Sequence, residues 1–121
     1  MSAFEELPQI APTVVWDGIL GRAVHGERLT MAVIELAANT ELPEHAHDNE
    51  QLGLLLSGSL ELRVGAESRN LVPGEMWRIA SNVRHSGVAG PGGAVVVDVF
   101  APAREDWLGL EHVEPRPPIW P

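Results

Sequence analysis

The sequence predicts an all-β domain, built either as a closed barrel or as a double-sheet sandwich. About ten short β-prone runs follow one another, most of them ending at a glycine or proline turn, and only one segment has helical character. A chain of 121 residues is also long enough to bury roughly two-thirds of its unfolded surface in a single core. Because closure removes exposed strand edges, we expect the strands to surround a mouth in which inward-facing side chains converge.

The individual strands are predicted from runs of apolar and β-branched residues between turn-forming residues. Asp17-Gly18, Gly26-Glu27, Pro73-Gly74 and Ser81-Asn82 mark turns, and residues 37–43 are predicted as a loop. Short connections of this kind favour antiparallel pairing. The predicted strands cover residues 14–16, 19–25, 29–36, 51–57, 60–64, 66–72, 76–80, 83–88 and 94–100.

The remaining segments complete one expected domain over residues 1–121. Residues 1–12 are predicted as an N-terminal arm and residues 111–121 as a proline-rich C-terminal tail. Arg104–Leu110 is the segment of helical character. Gly90–Gly93 is expected to reverse the chain before the last strand, and Ser57-Gly58-Ser59 to end an earlier one.

Composition excludes several kinds of chemistry. The chain has no cysteine and no tyrosine, and its eight basic residues are all arginines, so disulfides, thiolate ligands, a tyrosine base and a Schiff-base lysine are all absent. A net charge of -9 argues against nucleic acid and against an anionic membrane surface as partners. No apolar run approaches a spanning helix, and the acidic start is unlike a secretory signal. We therefore expect a cytoplasmic protein with a small-molecule substrate.

The segment Glu44–Gly53 carries the clearest indication of a functional site. His45 and His47 are two residues apart, so in an extended segment they project from the same side and both reach one divalent metal ion. Gln51 falls on the same face if the extended register continues. Because the chain has no cysteine, a metal must be held by histidine, carboxylate or amide groups.

Two motifs within residues 30–100 resemble those of the cupin superfamily. The first is an HxH pair, an acidic or amide residue and a glycine; the second is a glycine, a turn and a further histidine. They are matched by His45, His47, Gln51, Gly58, Gly74 and His85. The resemblance implies a single cupin domain with a jelly-roll β-barrel, in which His45, His47, Gln51 and His85 bind one divalent transition metal. The alternative is that these histidines lie at the surface beside an acidic turn.

The proposed ligands leave the metal itself open, because Zn, Ni, Mn, Fe and Co all accept imidazole and oxygen donors. Gln51 stands where glutamate is commoner in cupins. Three neutral imidazoles and a neutral amide leave the charge of the ion uncompensated, so we expect the centre to attract a small anionic substrate. Ala80 and Asn82 replace the proline and glycine of the second motif. Asparagine tolerates the left-handed conformation that such a turn needs.

A second candidate site follows from Asp98, a carboxylate in the middle of the apolar run Ala94–Phe100. Burying a charge there is costly unless the group is paired or functional. Strand alternation places Asp98 and Phe100 on one face, which would point to the barrel mouth. Arg104 follows shortly afterwards. Its alternative role is a structural ion pair with Asp98.

Three segments look like those of the small pectin-degradation cupins of the KdgF type: Glu50–Gly58, the Pro73-Gly74 turn and Asp98–Asp106. Those proteins convert 4,5-unsaturated monouronates into the linear 5-keto-4-deoxyuronate. Their functional Asp, Phe and Arg fall on Asp98, Phe100 and Arg104. The resemblance therefore implies a metal-dependent isomerase in which the aspartate moves a proton, the arginine binds the substrate carboxylate and the phenylalanine shapes the sugar pocket.

Two other functions remain open at this point. One is an Fe(II)-dependent dioxygenase or polyketide cyclase on the same ligand set, and the other is a noncatalytic sensor whose metal centre only binds an anion.

A homodimer is expected, because small cupins often pair their sheets. His25 and His112 are expected to be solvated. The four tryptophans, Trp16, Trp77, Trp107 and Trp120, are expected to pack in the core or at an interface.

Overall fold

The computed structural model describes residues 2–121, which form eight β-strands and two short 3-10 helices. The strands are β1 (Thr13–Trp16), β2 (Ile19–His25), β3 (Thr30–Leu36), β4 (Glu41–His45), β5 (Glu50–Val64), β6 (Glu67–Leu71), β7 (Met76–Ile79) and β8 (His85–Ala101), and the helices span Leu7–Gln9 and Glu105–Gly109. All strand pairs are antiparallel. The predicted all-β class, with a short C-terminal helical segment, is confirmed. Within residues 2–121 no helix is long and apolar enough to cross a membrane.

The two longest strands, β5 and β8, pair with each other along most of their length and organise the whole sheet. The sheet order is β1-β2-β3-β8-β5-β6. β4 pairs with the first part of β8 and β3 with its second part, while β7 pairs with the first part of β5 and β6 with its second part. The sheet therefore divides into two halves near the middle of β5 and β8. Buried residues from both halves form one core, among them Ile34, Leu55, Leu60, Leu62, Val96 and Phe100.

Two of the predicted turns are wrong, because β5 and β8 continue through them. Ser57-Gly58-Ser59 does not end a strand, and Gly90–Gly93 does not reverse the chain. The pairing of β5 with β8 keeps one antiparallel direction throughout, with shifts of register on both sides of Gly58. Long-range pairing here outweighs the local preference of glycine for turns, so each run becomes an irregularity inside a paired strand.

Gly58 and Gly93 make this irregularity possible. Their φ angles are 81° and 75°, in the left-handed region that favours glycine. A Cβ on Gly58 would overlap the carbonyl oxygen of Gly93 on the neighbouring strand. The two backbones therefore approach more closely than a side chain would allow.

A further correction concerns residues 37–43, which were predicted as a loop. β4 begins at Glu41 and pairs with β8, including a direct pairing of His45 with His85. Most of its residues are exposed, so the sequence lacks the alternation of apolar and polar residues that identifies a half-buried strand. The pairing with β8 creates this strand, and local sequence does not predict it.

The predicted arm and tail pack against each other and against the sheet. Two backbone hydrogen bonds of 2.8 and 2.9 Å join the end of the N-terminal arm and the start of β1 to the start of the C-terminal tail. The tail is also bound by a buried ion pair, in which Arg22 Nη1 lies 2.8 Å from Glu35 Oε2. Arg22 donates to the carbonyl of Arg116, and Glu35 accepts from the backbone N–H of Ile119. The tail therefore covers this part of β2 and β3.

Candidate metal centre and substrate pocket

The pairing of β4 with β8 brings together three histidines that the sequence predicts as ligands. His45 is the last residue of β4, and its strand partner is His85, the first residue of β8. His47 lies in the loop before β5. One nitrogen atom from each ring lies within 4.8 Å of the others. His85 is 2 % exposed, so the cluster is not the surface group that the alternative interpretation expected.

Backbone carbonyl groups fix the tautomer of all three rings. Each Nδ1 lies 2.7 to 2.9 Å from a carbonyl oxygen, that of Pro43 for His45, of Asn49 for His47 and of Val83 for His85. A carbonyl oxygen only accepts, so each Nδ1 carries the proton and each Nε2 keeps its lone pair. Nε2 of His85 is buried and has no hydrogen-bond partner in the described part of the chain. This is the tautomer and the orientation of a metal-binding histidine.

Burial also keeps the three imidazoles neutral. It is the largest influence that lowers the pKa of His45 and His47 below the usual value, and it lowers the pKa of His85 to about 4. The positive charge of Arg104 lowers all three in addition. Only the neutral imidazole has a lone pair for a metal ion, so the cluster is ready to bind one near neutral pH.

Gln51 completes the cluster and fits a metal better than it fits a hydrogen bond. Its Oε1 lies 3.1 Å from Nε2 of His47. Because the tautomer makes that Nε2 an acceptor, two acceptor atoms face each other. Two donors that bind one metal ion at about 2.1 Å and at roughly a right angle lie about 3 Å apart. The contact therefore has the spacing of neighbouring ligands, and the residues present suit a divalent metal.

Asp98 lies inside the barrel, 5 % exposed, in the row of side chains that the strand alternation predicted. Burial raises the pKa of its carboxyl group to about 7, although the nearby Gln51 and Trp77 side chains and the charge of Arg104 oppose the shift. Its Oδ1 has no hydrogen-bond partner among residues 2–121. A buried carboxyl group without a partner for this atom is typical of a functional site.

Arg104 does not form the structural ion pair with Asp98 that was the alternative. Its guanidinium group binds Asp106 in a bidentate manner, with Nε and Nη2 lying 3.1 and 3.0 Å from the two carboxylate oxygens. The group stacks over the ring of Phe100, 4.7 Å from its centroid, and over Trp107 at 5.0 Å. The arginine is thus held rigidly with its Nη1 group left for a ligand.

All seven predicted site residues line a single internal cavity of about 70 Å³. They are His45, His47, Gln51, His85, Asp98, Phe100 and Arg104. Sequence reasoning missed the other residues of the wall, which include three tryptophans, Trp16, Trp77 and Trp107. The indole nitrogens of Trp16 and Trp77 are buried and have no hydrogen-bond partner in the described chain. The available signal was strand alternation, since Trp77 and Ile79 share a face of β7 and the buried Ile79 pairs with Gln51.

Comparison with known proteins agrees with this site and this fold. A family model described as a cupin domain matches residues 32–100. The chain is 30% identical over 94 residues to the pectin degradation protein KdgF of Dickeya dadantii (strain 3937). The alignment covers 76% of this chain and 86% of that protein.

Solved structures show the same fold. An RmlC-like cupin from Shewanella frigidimarina has a TM-score of 0.81 at 24% identity, covering 88% of this chain and 96% of that chain. KdgF from Halomonas sp. has a TM-score of 0.80 at 24% identity, covering 88% and 98%. The polyketide cyclase RemF from Streptomyces resistomycificus has a TM-score of 0.73 at 23% identity, covering 84% and 80%. The predicted cupin jelly roll is confirmed, and the chain belongs to the cupin family, in which it resembles KdgF.

Proposed function

We propose that this chain is a metal-dependent isomerase that opens the ring of 4,5-unsaturated monouronates to give linear 5-keto-4-deoxyuronates. The observation that carries the proposal is one cavity lined by three neutral imidazoles, an amide, a buried carboxyl group and an arginine. These are the groups that such a reaction needs. The 30% identity to a pectin degradation protein supports the same substrate class.

The reaction is an internal transfer of one proton. The anomeric hydroxyl loses its proton, the bond between C1 and the ring oxygen breaks, and C1 becomes an aldehyde. The ring oxygen leaves with the bonding electron pair as the enolate oxygen at C5, and protonation of C4 converts this enolate to the 5-ketone. No oxidant or reductant is consumed, so any of the candidate metals would serve.

Asp98 is the group that we assign to the proton transfer. Its carboxylate accepts the proton from the anomeric hydroxyl, and the resulting acid donates a proton to C4. A group that performs both tasks works best when its pKa lies near the operating pH. Asp98 is only 5 % exposed, which limits exchange of this proton with solvent during the reaction.

The anionic end of the substrate is assigned to His45, His47, Gln51 and His85 together with Arg104. A divalent ion bound by the first four residues would stabilise the negative charge that develops during ring opening, as a Lewis acid. Arg104 contributes a fixed positive charge and a free N–H group for the carboxylate. Phe100, pressed between the arginine and His47, forms an apolar wall for the sugar ring.

The test is an assay of the metal-loaded protein with an unsaturated monouronate, following loss of the enol-ether absorbance. We expect clear acceleration over buffer, and a loss of about 10²- to 10⁴-fold in kcat when Asp98 is replaced by alanine. Asp17→Ala, in an exposed turn, is the matched control and should keep full activity.

Two results would overturn the proposal. One is no acceleration with any of Zn, Ni, Mn, Fe or Co, and the other is an Asp98→Ala variant as active as the wild type. Tight retention of the uronate without turnover would indicate the noncatalytic anion-binding module instead. Oxygen uptake with the Fe(II) form would indicate the dioxygenase.

A further inference from the structure

Three adjacent strands place the side chain of Trp77 next to that of Asp98. Gly53 on β5 pairs with Trp77 on β7 on one side and with Asp98 on β8 on the other. Residues that pair directly across antiparallel strands point to the same face of the sheet. Both side chains accordingly line the internal cavity.

The absence of a side chain at Gly53 gives the indole its place. A Cβ on Gly53 would overlap three ring atoms of Trp77, one of which is Nε1. The indole nitrogen therefore occupies the position where the side chain of residue 53 would begin. Cβ atoms of directly opposed residues lie about 4.5–5.5 Å apart, so Nε1 is within reach of the carboxyl group of Asp98.

Neither polar atom has another partner. The indole N–H is a donor only, and Nε1 of Trp77 is buried without an acceptor from the described residues. Oδ1 of Asp98 is a buried acceptor that likewise has no donor within residues 2–121. Leaving buried polar atoms unmatched is costly, and native proteins rarely do so. A free donor and a free acceptor thus face each other across one glycine.

We infer that Trp77 is a positioning residue for Asp98, and that Gly53 is the residue that makes room for it. A small rotation of either side chain lets the indole N–H donate to Oδ1, and this hydrogen bond holds the carboxyl group in one orientation toward the cavity. The part of this inference that concerns catalysis rests on the proposed isomerase function. The hydrogen bond itself does not.

The hydrogen bond is tested without substrate, by the indole N–H signals of ¹⁵N-labelled protein. The chain has four tryptophans, and Trp77→Phe identifies the Trp77 signal by its disappearance. We expect Asp98→Leu, which keeps the approximate volume but removes the acceptor, to move this signal upfield by several line widths. Asp98→Asn, which keeps an acceptor, should move it less. A Trp77 signal that moves no more in Asp98→Leu than the signal of Trp120 in the tail would overturn the inference.

The positioning role is tested by kinetics with the uronate. Trp77→Phe keeps the ring and removes only the donor, and we expect kcat to fall about tenfold with KM changed less than about twofold. Gly53→Ala, which displaces the indole, should give a similar loss, and Trp120→Phe none. In the Asp98→Asn variant, adding Trp77→Phe should lower kcat by less than about a further twofold, because Trp77 acts through the aspartate.

Equal losses in both backgrounds would show that Trp77 acts independently of Asp98 and would overturn the positioning role. Unchanged kcat in Trp77→Phe would do the same. If the wild type does not convert the uronate at all, the proposed function fails, while the indole signals still decide whether the hydrogen bond exists.

Discussion

Replacing His85 by leucine should abolish most of the stabilisation that a divalent metal gives to this protein. His85 is the most deeply buried of the three clustered histidines, and its Nε2 has no hydrogen-bond partner in the described part of the chain. The substitution retains much of the side-chain volume but removes one of the four predicted donors. The exposed His112 lies outside the cluster, so His112→Leu is the matched control.

The expected size of the effect follows from linkage. At a free metal concentration of about 100 times Kd, binding to the folded state adds about 2.7 kcal/mol to the free energy of unfolding. A domain of 121 residues has an unfolding entropy of about 0.25 kcal/mol/K near Tm. The metal should therefore raise Tm of the wild type by about 11 °C. If loss of a ligand weakens Kd by about 100-fold, the same metal concentration adds only about 0.4 kcal/mol, which is a rise of less than about 2 °C.

The assay is thermal unfolding of metal-free protein, scanned with and without each of the candidate metals at one fixed concentration. The quantity compared is the metal-induced rise in Tm within each variant, so any effect of the substitution on the metal-free protein cancels. A full rise in His85→Leu, or a lost rise in His112→Leu, would refute the predicted ligand set. A wild type that no candidate metal stabilises would refute the metal centre itself.

Two predictions concern stability and are measured by chemical denaturation. Glu35→Ala leaves the charge of Arg22 buried without its partner and should reduce the free energy of unfolding by about 3–5 kcal/mol. Arg69→Ala breaks an exposed ion pair and should reduce it by less than about 1 kcal/mol. Similar losses in the two variants would contradict the reasoning. Gly58→Ala combines a left-handed φ of 81° with overlap of a neighbouring carbonyl and should cost at least about 2 kcal/mol, while Gly92→Ala has open space and should change little. Equal stability of these two glycine variants would show that the close approach of β5 and β8 is not needed.

The sequence predicted those features that depend on local spacing. The HxH pair and Gln51 were predicted to lie together from their spacing in an extended segment; they do line one cavity, but the extended register breaks between His45 and Glu50, so a loop carries His47 between two paired strands. Asp98 was recognised because a carboxylate is out of place in an apolar run. Asn82, expected to accept a left-handed turn conformation, has a φ of 64°.

Features that depend on distant pairing were not predictable from local sequence. β4 is largely exposed, so nothing in its own sequence marks it as a strand until β8 pairs with it. Trp77 resembled a packing residue because its neighbour across the sheet is a glycine 24 positions earlier, and the space that Gly53 provides exists only in the folded sheet. The ion pair of Arg104 with Asp98, weighed as the alternative, does not form, because the guanidinium group binds Asp106 at the start of the 3-10 helix.

The segment Gly90–Gly93, which was predicted to reverse the chain, explains how one strand supplies two parts of the site. His85 and Asp98 are 13 residues apart on β8, which would separate them by about 43 Å in a straight strand. Both nevertheless line one cavity of about 70 Å³, so the strand must bend strongly between them. Gly90–Gly93 lies in this interval, opposite the register shifts around Gly58 on β5. A side chain at Gly58 would therefore disturb the spacing of His85 and Asp98 without touching either residue, and Gly58→Ala should weaken metal binding as well as stability.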